Sequence, residues 1–205
     1  MKKNISILFA LIGWFAIIMQ YILMIDHRTA SITETTIRFF SFFTILTNTM
    51  VAIYFSYQGI KANISGGSIL NKPGTLTALT IYITIVSLIY QLILRQTWHP
   101  EGLDRVVDEL LHTIIPIFTI IYWFAYENKK DIPFNVIPKW LIYPATYLVF
   151  ILTRGHFSNF YPYPFVDVLN LGICNVLINS AALILFFVFM SVLYIFIGKR
   201  ISKIH

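Results

Sequence analysis

Six stretches of this chain are each long and apolar enough to cross a bilayer, and that pattern leaves few folds open. A spanning helix needs about 20 largely apolar residues, and such runs lie at approximately 5–25, 38–57, 75–95, 106–126, 138–153 and 172–197. Backbone N–H and C=O groups find no water in hydrocarbon, so runs of this length must close their own hydrogen bonds as helices. Of the 205 residues 58% are hydrophobic and only 12% charged, whereas soluble domains carry about a quarter charged residues. The expected fold class is an all-α integral membrane protein, one domain over 1–205, built as a bundle of six transmembrane helices. The first run is too long for a leader and has no small-x-small cleavage pattern before Asp26, so it reads as a span. The fifth is the shortest and contains Pro144.

Loop charges predict the orientation. With the N-terminus cytoplasmic, six spans return the C-terminus to the same side. Every lysine and Arg200 then fall inside, and only Arg28, Arg38, Arg95, Arg105 and Arg154 fall outside. The net charge of +6 is thereby accounted for by topology rather than by a nucleic-acid partner. The expected location is a cell membrane, crossed several times, with the residue usage of a bacterial plasma-membrane protein. Nothing in the sequence specifies an oligomeric state. Lone Cys174 excludes an internal disulfide and reads as a small buried residue of an apolar helix.

Chemistry-bearing residues collect on the outer side, which holds His27, His99, His112 and His156 and all acids except Glu127 and Asp131. Two groups stand out. The run Arg38 to Met50, read as continuous helix, puts Ser41, Thr44 and Asn48 on one face with Thr47 beside them. A polar stripe in a membrane helix must face protein or trapped water. On the fourth span Asp104, Asp108 and His112 share a face at i, i+4 and i+8. At 1.5 Å per residue His112 lies about 10 Å below the outer surface and Thr44 about 9 Å. An ionisable side chain inside a span is costly and is a functional candidate by default.

A threonine hydroxyl becomes a nucleophile only when a base takes its proton, and a neutral imidazole can do so. Asp108 can orient that imidazole or serve as an interfacial acid near a helix N-terminus. A developing oxyanion requires donors, for which Asn48, Tyr163 and nearby arginines are candidates. Tyr161-Pro162-Tyr163-Pro164-Phe165 leads to Asp167 and reads either as an aromatic belt or as a lid with Asp167 turned into the pocket. Arg154 precedes it and is able to meet an anionic headgroup. The histidines are scattered over separate segments, without the close ligand pairs of zinc hydrolases, so no metal and no cofactor is expected.

Three motifs occur in an order that resembles a known family: Phe42-Phe43-Thr44-Ile45-Leu46-Thr47-Asn48, His112-Thr113-Ile114-Ile115-Pro116, and Tyr163-Pro164-Phe165. They resemble the androgen-induced and androgen-dependent tissue-factor-pathway-inhibitor-regulating proteins, and more closely their six-span bacterial relatives. The resemblance implies an intramembrane threonine hydrolase, acting in the animal members on fatty acid esters of hydroxy fatty acids, with Thr44 as nucleophile and His112 as base. The animal pattern places asparagine three residues after the threonine, whereas Asn48 follows Thr44 by four. Anchored on the asparagine, the nucleophile position would fall on Ile45, and Thr47 is then the rival. The proline after the histidine is also one residue nearer than in the animal members.

The functional expectation is an intramembrane lipid-ester hydrolase opening to the outer half of the bundle. Thr44 (alternatively Thr47), His112 and Asp108 would be catalytic. Ser41, Asn48, Tyr163 and Asp167 would shape the substrate site, and Arg38 or Arg154 would hold a substrate carboxylate. The partner would be a membrane lipid or fatty-acyl ester. Two alternatives stay open: a non-catalytic lipid-binding or transport protein, and a metal-dependent lipid hydrolase.

Overall fold

The computed structural model describes residues 1–60, 68–97 and 99–202. Within them the chain is all helical, in the order α1 (Lys2–Asp26), α2 (Ile32–Phe39), α3 (Phe43–Ile60), α4 (Thr75–Ile89), α5 (Gly102–Glu109), α6 (Ile115–Tyr126), α7 (Ile137–Ser158) and α8 (Val168–Ile201). A π-helical turn, Tyr90–Leu94, extends α4, and another, Leu110–Ile114, joins α5 to α6 without a break. Five helical stretches are long and apolar enough to cross a membrane, and a sixth if α2 and α3 form one bent span. The protein is therefore a multi-span, all-α integral membrane protein. Lys61 and Lys203, two of the lysines read as cytoplasmic, lie outside the described residues.

The second span departs from expectation. Arg38 to Met50 is not one helix: α2 ends at Phe39, and α3 starts at Phe43 at an angle of 69° to it. Ser31 caps α2 by accepting from the Glu34 amide, and Glu34 pairs with Arg38 one turn on at 2.7 Å. These charges make α2 a short amphipathic helix rather than an apolar rod. Ser41 sits in the corner, fully buried, with its hydroxyl donating back to the Ile37 carbonyl at 2.7 Å. It does not continue the face of Thr44 and Asn48.

The helices fall into two compact units, Met1–Asn128 and Lys129–His205. In the first unit α1 runs antiparallel to α3, with Gly13 crossing Ala52 and Trp14 donating to the Ser56 hydroxyl at 3.0 Å. A Cβ at Gly13 would lie 3.1 Å from the Ala52 Cβ. This is the small-residue contact that lets membrane helices approach without a hydrophobic driving force. α4 is enclosed, every residue from Leu76 to Val86 being buried. It packs on α3 and α6, and its Thr77 accepts from the Trp123 indole at 2.8 Å. At the opposite side of the bundle from Asp104, the Ser6 and Tyr122 hydroxyls meet at 2.9 Å and Lys2 lies over the Tyr122 and Tyr126 rings.

In the second unit α7 runs unbroken through Pro144, so the fifth span is longer than its apolar run suggests. Asn159 closes it in the left-handed region, φ 53°, a conformation asparagine tolerates. Tyr161 then folds onto Gly155, where a Cβ would meet the ring at 2.0 Å. Burial, and secondarily Asp167, raises the Tyr161 phenol above its ordinary pKa. α8 bends at Gly172, φ 74°, which only glycine adopts freely. Cys174 lies exposed on α8 beside Ile173, Leu177 and Ile178 rather than buried, because this stretch turns an apolar face outward.

The crossing of α1 and α3 sets a stability contrast. Replacing Gly13 by leucine should lower stability by about 1–3 kcal/mol through overpacking, whereas Phe15→Leu, at an exposed position of the same helix, should be close to neutral. Thermal unfolding of both variants in the same detergent checks the contrast.

Candidate functional site

The site is built on a proline. Pro116 has no N–H, and its ring crowds the carbonyl four residues earlier, that of His112. The helix responds by widening: the Ile115 amide reaches back to the Leu110 carbonyl, a π turn that spans Leu110–Ile114. In that register the next amide would serve the Leu111 carbonyl, and the next residue is Pro116. Asn48 supplies the missing donor. Its Nδ2 lies 3.3 Å from the Leu111 oxygen and 2.9 Å from the Thr44 oxygen, fully buried. One amide thus ties the start of α3 to the segment that carries His112.

The same π turn aims His112. Its Nδ1 faces two oxygens of Asp108, the backbone carbonyl at 3.0 Å and carboxylate Oδ1 at 3.1 Å. A backbone carbonyl only accepts, so Nδ1 carries the proton and the lone pair of the neutral ring is on Nε2. Nε2 has no protein partner among the described residues. Asp108 is itself 7% exposed and fixed from the other side, where the Tyr90 hydroxyl donates to Oδ2. The Tyr90 ring stacks on the imidazole, centroids 3.9 Å apart and planes 12° from parallel.

A second set of bonds fastens the two π turns together. Gln91 donates to the Thr113 hydroxyl at 2.9 Å, Thr113 donates to Glu109 at 2.7 Å, and Arg95 joins Glu109 to Gln91. These four side chains close a ring. Tyr90, Gln91, Arg95, Glu109 and Thr113 are not singled out by sequence reasoning. The available signal was Pro116, four residues after an ionisable side chain within a span.

Beside this assembly a cleft of about 330 Å³ is lined by Tyr90, Arg95, His99, Glu101, Arg105, Asp108 and Glu109 among others. A second of about 200 Å³ lies between α1, α2 and the start of α5, lined by Gln20, His27, Arg28, Thr35, Arg38 and Asp104 among others. His27 meets Asp104 at 3.7 Å there, so Asp104 leaves the Asp108–His112 pair to face α1.

The remaining sequence candidates divide. Thr44, 9% exposed, is the second residue of α3, the Phe42 carbonyl accepting the first helical bond from Leu46. It therefore sits at a helix N-terminus, where the macrodipole favours developing negative charge. Thr47 is fully buried one turn deeper. Asn48 differs from its expected role: its amide donors are taken by two carbonyls, and the atom left without a partner is the buried acceptor Oδ1. Turning the amide over would set that oxygen against both carbonyls. Arg38 is engaged by Glu34. In the second unit Arg154 contacts the Phe160 carbonyl at 3.5 Å and the Phe160 ring, and buried Tyr163 stacks on Phe165. Asp167 is the N-cap of α8, accepting from the Leu169 and Asn170 amides. Among the described residues no three His, Cys, Asp or Glu side chains are grouped to hold a metal ion.

Asn48 and Pro116 should therefore be energetically coupled. Asn48→Leu should destabilise the protein by about 1–3 kcal/mol, since it strands the buried Leu111 carbonyl. The loss should shrink when combined with Pro116→Ala, which restores an amide able to serve that carbonyl. A double-mutant cycle by equilibrium unfolding measures this; strict additivity would contradict the assignment.

Comparison with known proteins adds no further assignment: no protein-family model matches the chain, and no curated protein or solved structure matches it.

Proposed function

We propose that this protein is an intramembrane lipid-ester hydrolase in which a threonine at the start of α3, Thr44 with Thr47 as alternative, is activated by His112. The observation that carries the reading is the Asp108–His112 pair. It leaves the Nε2 lone pair of a neutral imidazole free, on a segment that Asn48 ties to the Thr44 backbone. In the reaction Nε2 takes the threonine proton and the oxygen adds to the ester carbonyl. The tetrahedral intermediate collapses as the imidazolium returns the proton to the leaving alcohol, and water, deprotonated by the same nitrogen, then releases the fatty acid. Asp108 supports the imidazolium throughout. The N-terminal turn of α3 favours the oxyanion, a task for which the Asn48 amide was the sequence candidate.

The motif resemblance to the androgen-induced and androgen-dependent tissue-factor-pathway-inhibitor-regulating family supports the same chemistry and suggests fatty-acyl esters, such as fatty acid esters of hydroxy fatty acids, as substrates. The lysine distribution supports N- and C-termini in the cytoplasm and the site in the outer half of a bacterial plasma membrane.

A fluorophosphonate probe tests the nucleophile. The purified protein should label, and either Thr44→Ala or Thr47→Ala should abolish the label. Labelling that survives both substitutions removes the mechanism and leaves the clefts as binding sites for a lipid headgroup.

A further inference from the structure

The mechanism above uses His112, Asp108 and a threonine, yet a further side chain contacts both members of the Asp108–His112 pair. Tyr90 reaches the pair from the end of α4 in two ways at once. Its hydroxyl donates to Asp108 Oδ2, and its ring lies flat against the His112 imidazole at 3.9 Å. It is 4% exposed and lies in the π turn that bonds to the His112 turn through Gln91 and Arg95, so its placement is held by neighbours on both sides. We infer that Tyr90 is a positioning residue for the proposed base: its hydroxyl pins Asp108 so that Oδ1 meets Nδ1, and its ring fixes the imidazole plane.

The hydroxyl acts through the carboxylate. Asp108 lines the 330 Å³ cleft. Without the Tyr90 hydroxyl its carboxylate would be free to turn toward that cleft. The Nδ1 proton would keep the backbone carbonyl, but lose the carboxylate that selects the tautomer and balances the imidazolium. The ring acts separately. A flat aromatic face at this distance supports a positive imidazolium electrostatically and bars the ring from rotating about its second side-chain bond. Among the described residues, the charged groups that share the cleft with Asp108 are Glu101, Arg105 and Glu109 from its own side and Arg95 from the α4 turn, where Arg95 pairs with Glu109. The α3 side chain bonded to the His112 turn, Asn48, is neutral. No other described group duplicates the Tyr90 hydroxyl at Asp108 Oδ2.

The inference rests on the hydrolase reading for its kinetic arm and stands apart from it for its spectroscopic arm. Protein carrying ¹⁵N-labelled histidine, in lipid nanodiscs, gives an imidazole signal for His112, identified by its loss in His112→Gln. Wild type should show the tautomer protonated at Nδ1. In Tyr90→Phe, which keeps the ring and removes only the hydroxyl, a population protonated at Nε2 should appear. Tyr90→Leu should add exchange broadening from a ring no longer held flat. In the kinetic arm, Tyr90→Phe should lower kcat roughly ten- to hundredfold, as loss of the outer partner of a ligating histidine does, with KM within about twofold. Thermal unfolding confirms that each variant is folded. An unchanged His112 signal in Tyr90→Phe overturns the inference, whatever the rate does. A wild-type enzyme without hydrolase activity removes the reading it rests on, and the tautomer result still decides the role of Tyr90.

Discussion

A missing hydrogen at Pro116 shapes the part of the molecule that matters most. Because that residue cannot donate, the helix carrying His112 widens into a π turn and leaves the Leu111 carbonyl in need of a partner. In water the vacancy would be filled by solvent. Inside a bundle it must be met by protein, at a penalty of a few kcal/mol if it is not. Asn48 meets it, and so joins α3 to the His112 segment through a buried polar contact. Where helix association cannot draw on the hydrophobic effect, a contact of this kind adds to close packing in fixing register.

The π turn also sets the electrostatics. Asp108 and His112 would share a face on any helix at this spacing. What the structure adds is a carboxylate clamped between imidazole and phenol, with its second oxygen occupied by Tyr90. The arrangement fixes which ring nitrogen is basic. The ring formed by Gln91, Thr113, Glu109 and Arg95 lies alongside and locks the two widened turns to each other. A short helix–helix contact thereby becomes a rigid frame.

Much of this is legible in the sequence. Apolar run length locates the spans, since each helix must satisfy its own backbone, and the i, i+4 spacing pairs Asp108 with His112. The bend at residues 40–42 is not legible. Phe39, Phe40, Phe42 and Phe43 read as continuous apolar helix, and the amphipathic character of α2 comes from Glu34 and Arg38 on the far side of the corner. Partners distant in the chain, such as Tyr90 against His112, leave no trace in spacing alone. Asp167 caps α8, a task that an acid ahead of a helix can serve and that its motif alone does not single out. Pro116 is visible as part of a motif, but its consequence for the carbonyls upstream requires knowing which turn is widened.

The proposed chemistry stands on the imidazole of His112 acting as a base on an ester-bearing lipid. Hydrolysis of a panel of fatty-acyl esters by wild type and His112→Ala, at equal folded concentration in the same detergent, tests it most directly. Wild type should turn over at least one ester, with a loss of roughly 10²–10⁴-fold in the variant. Equal rates from the two proteins would contradict a basic role for His112.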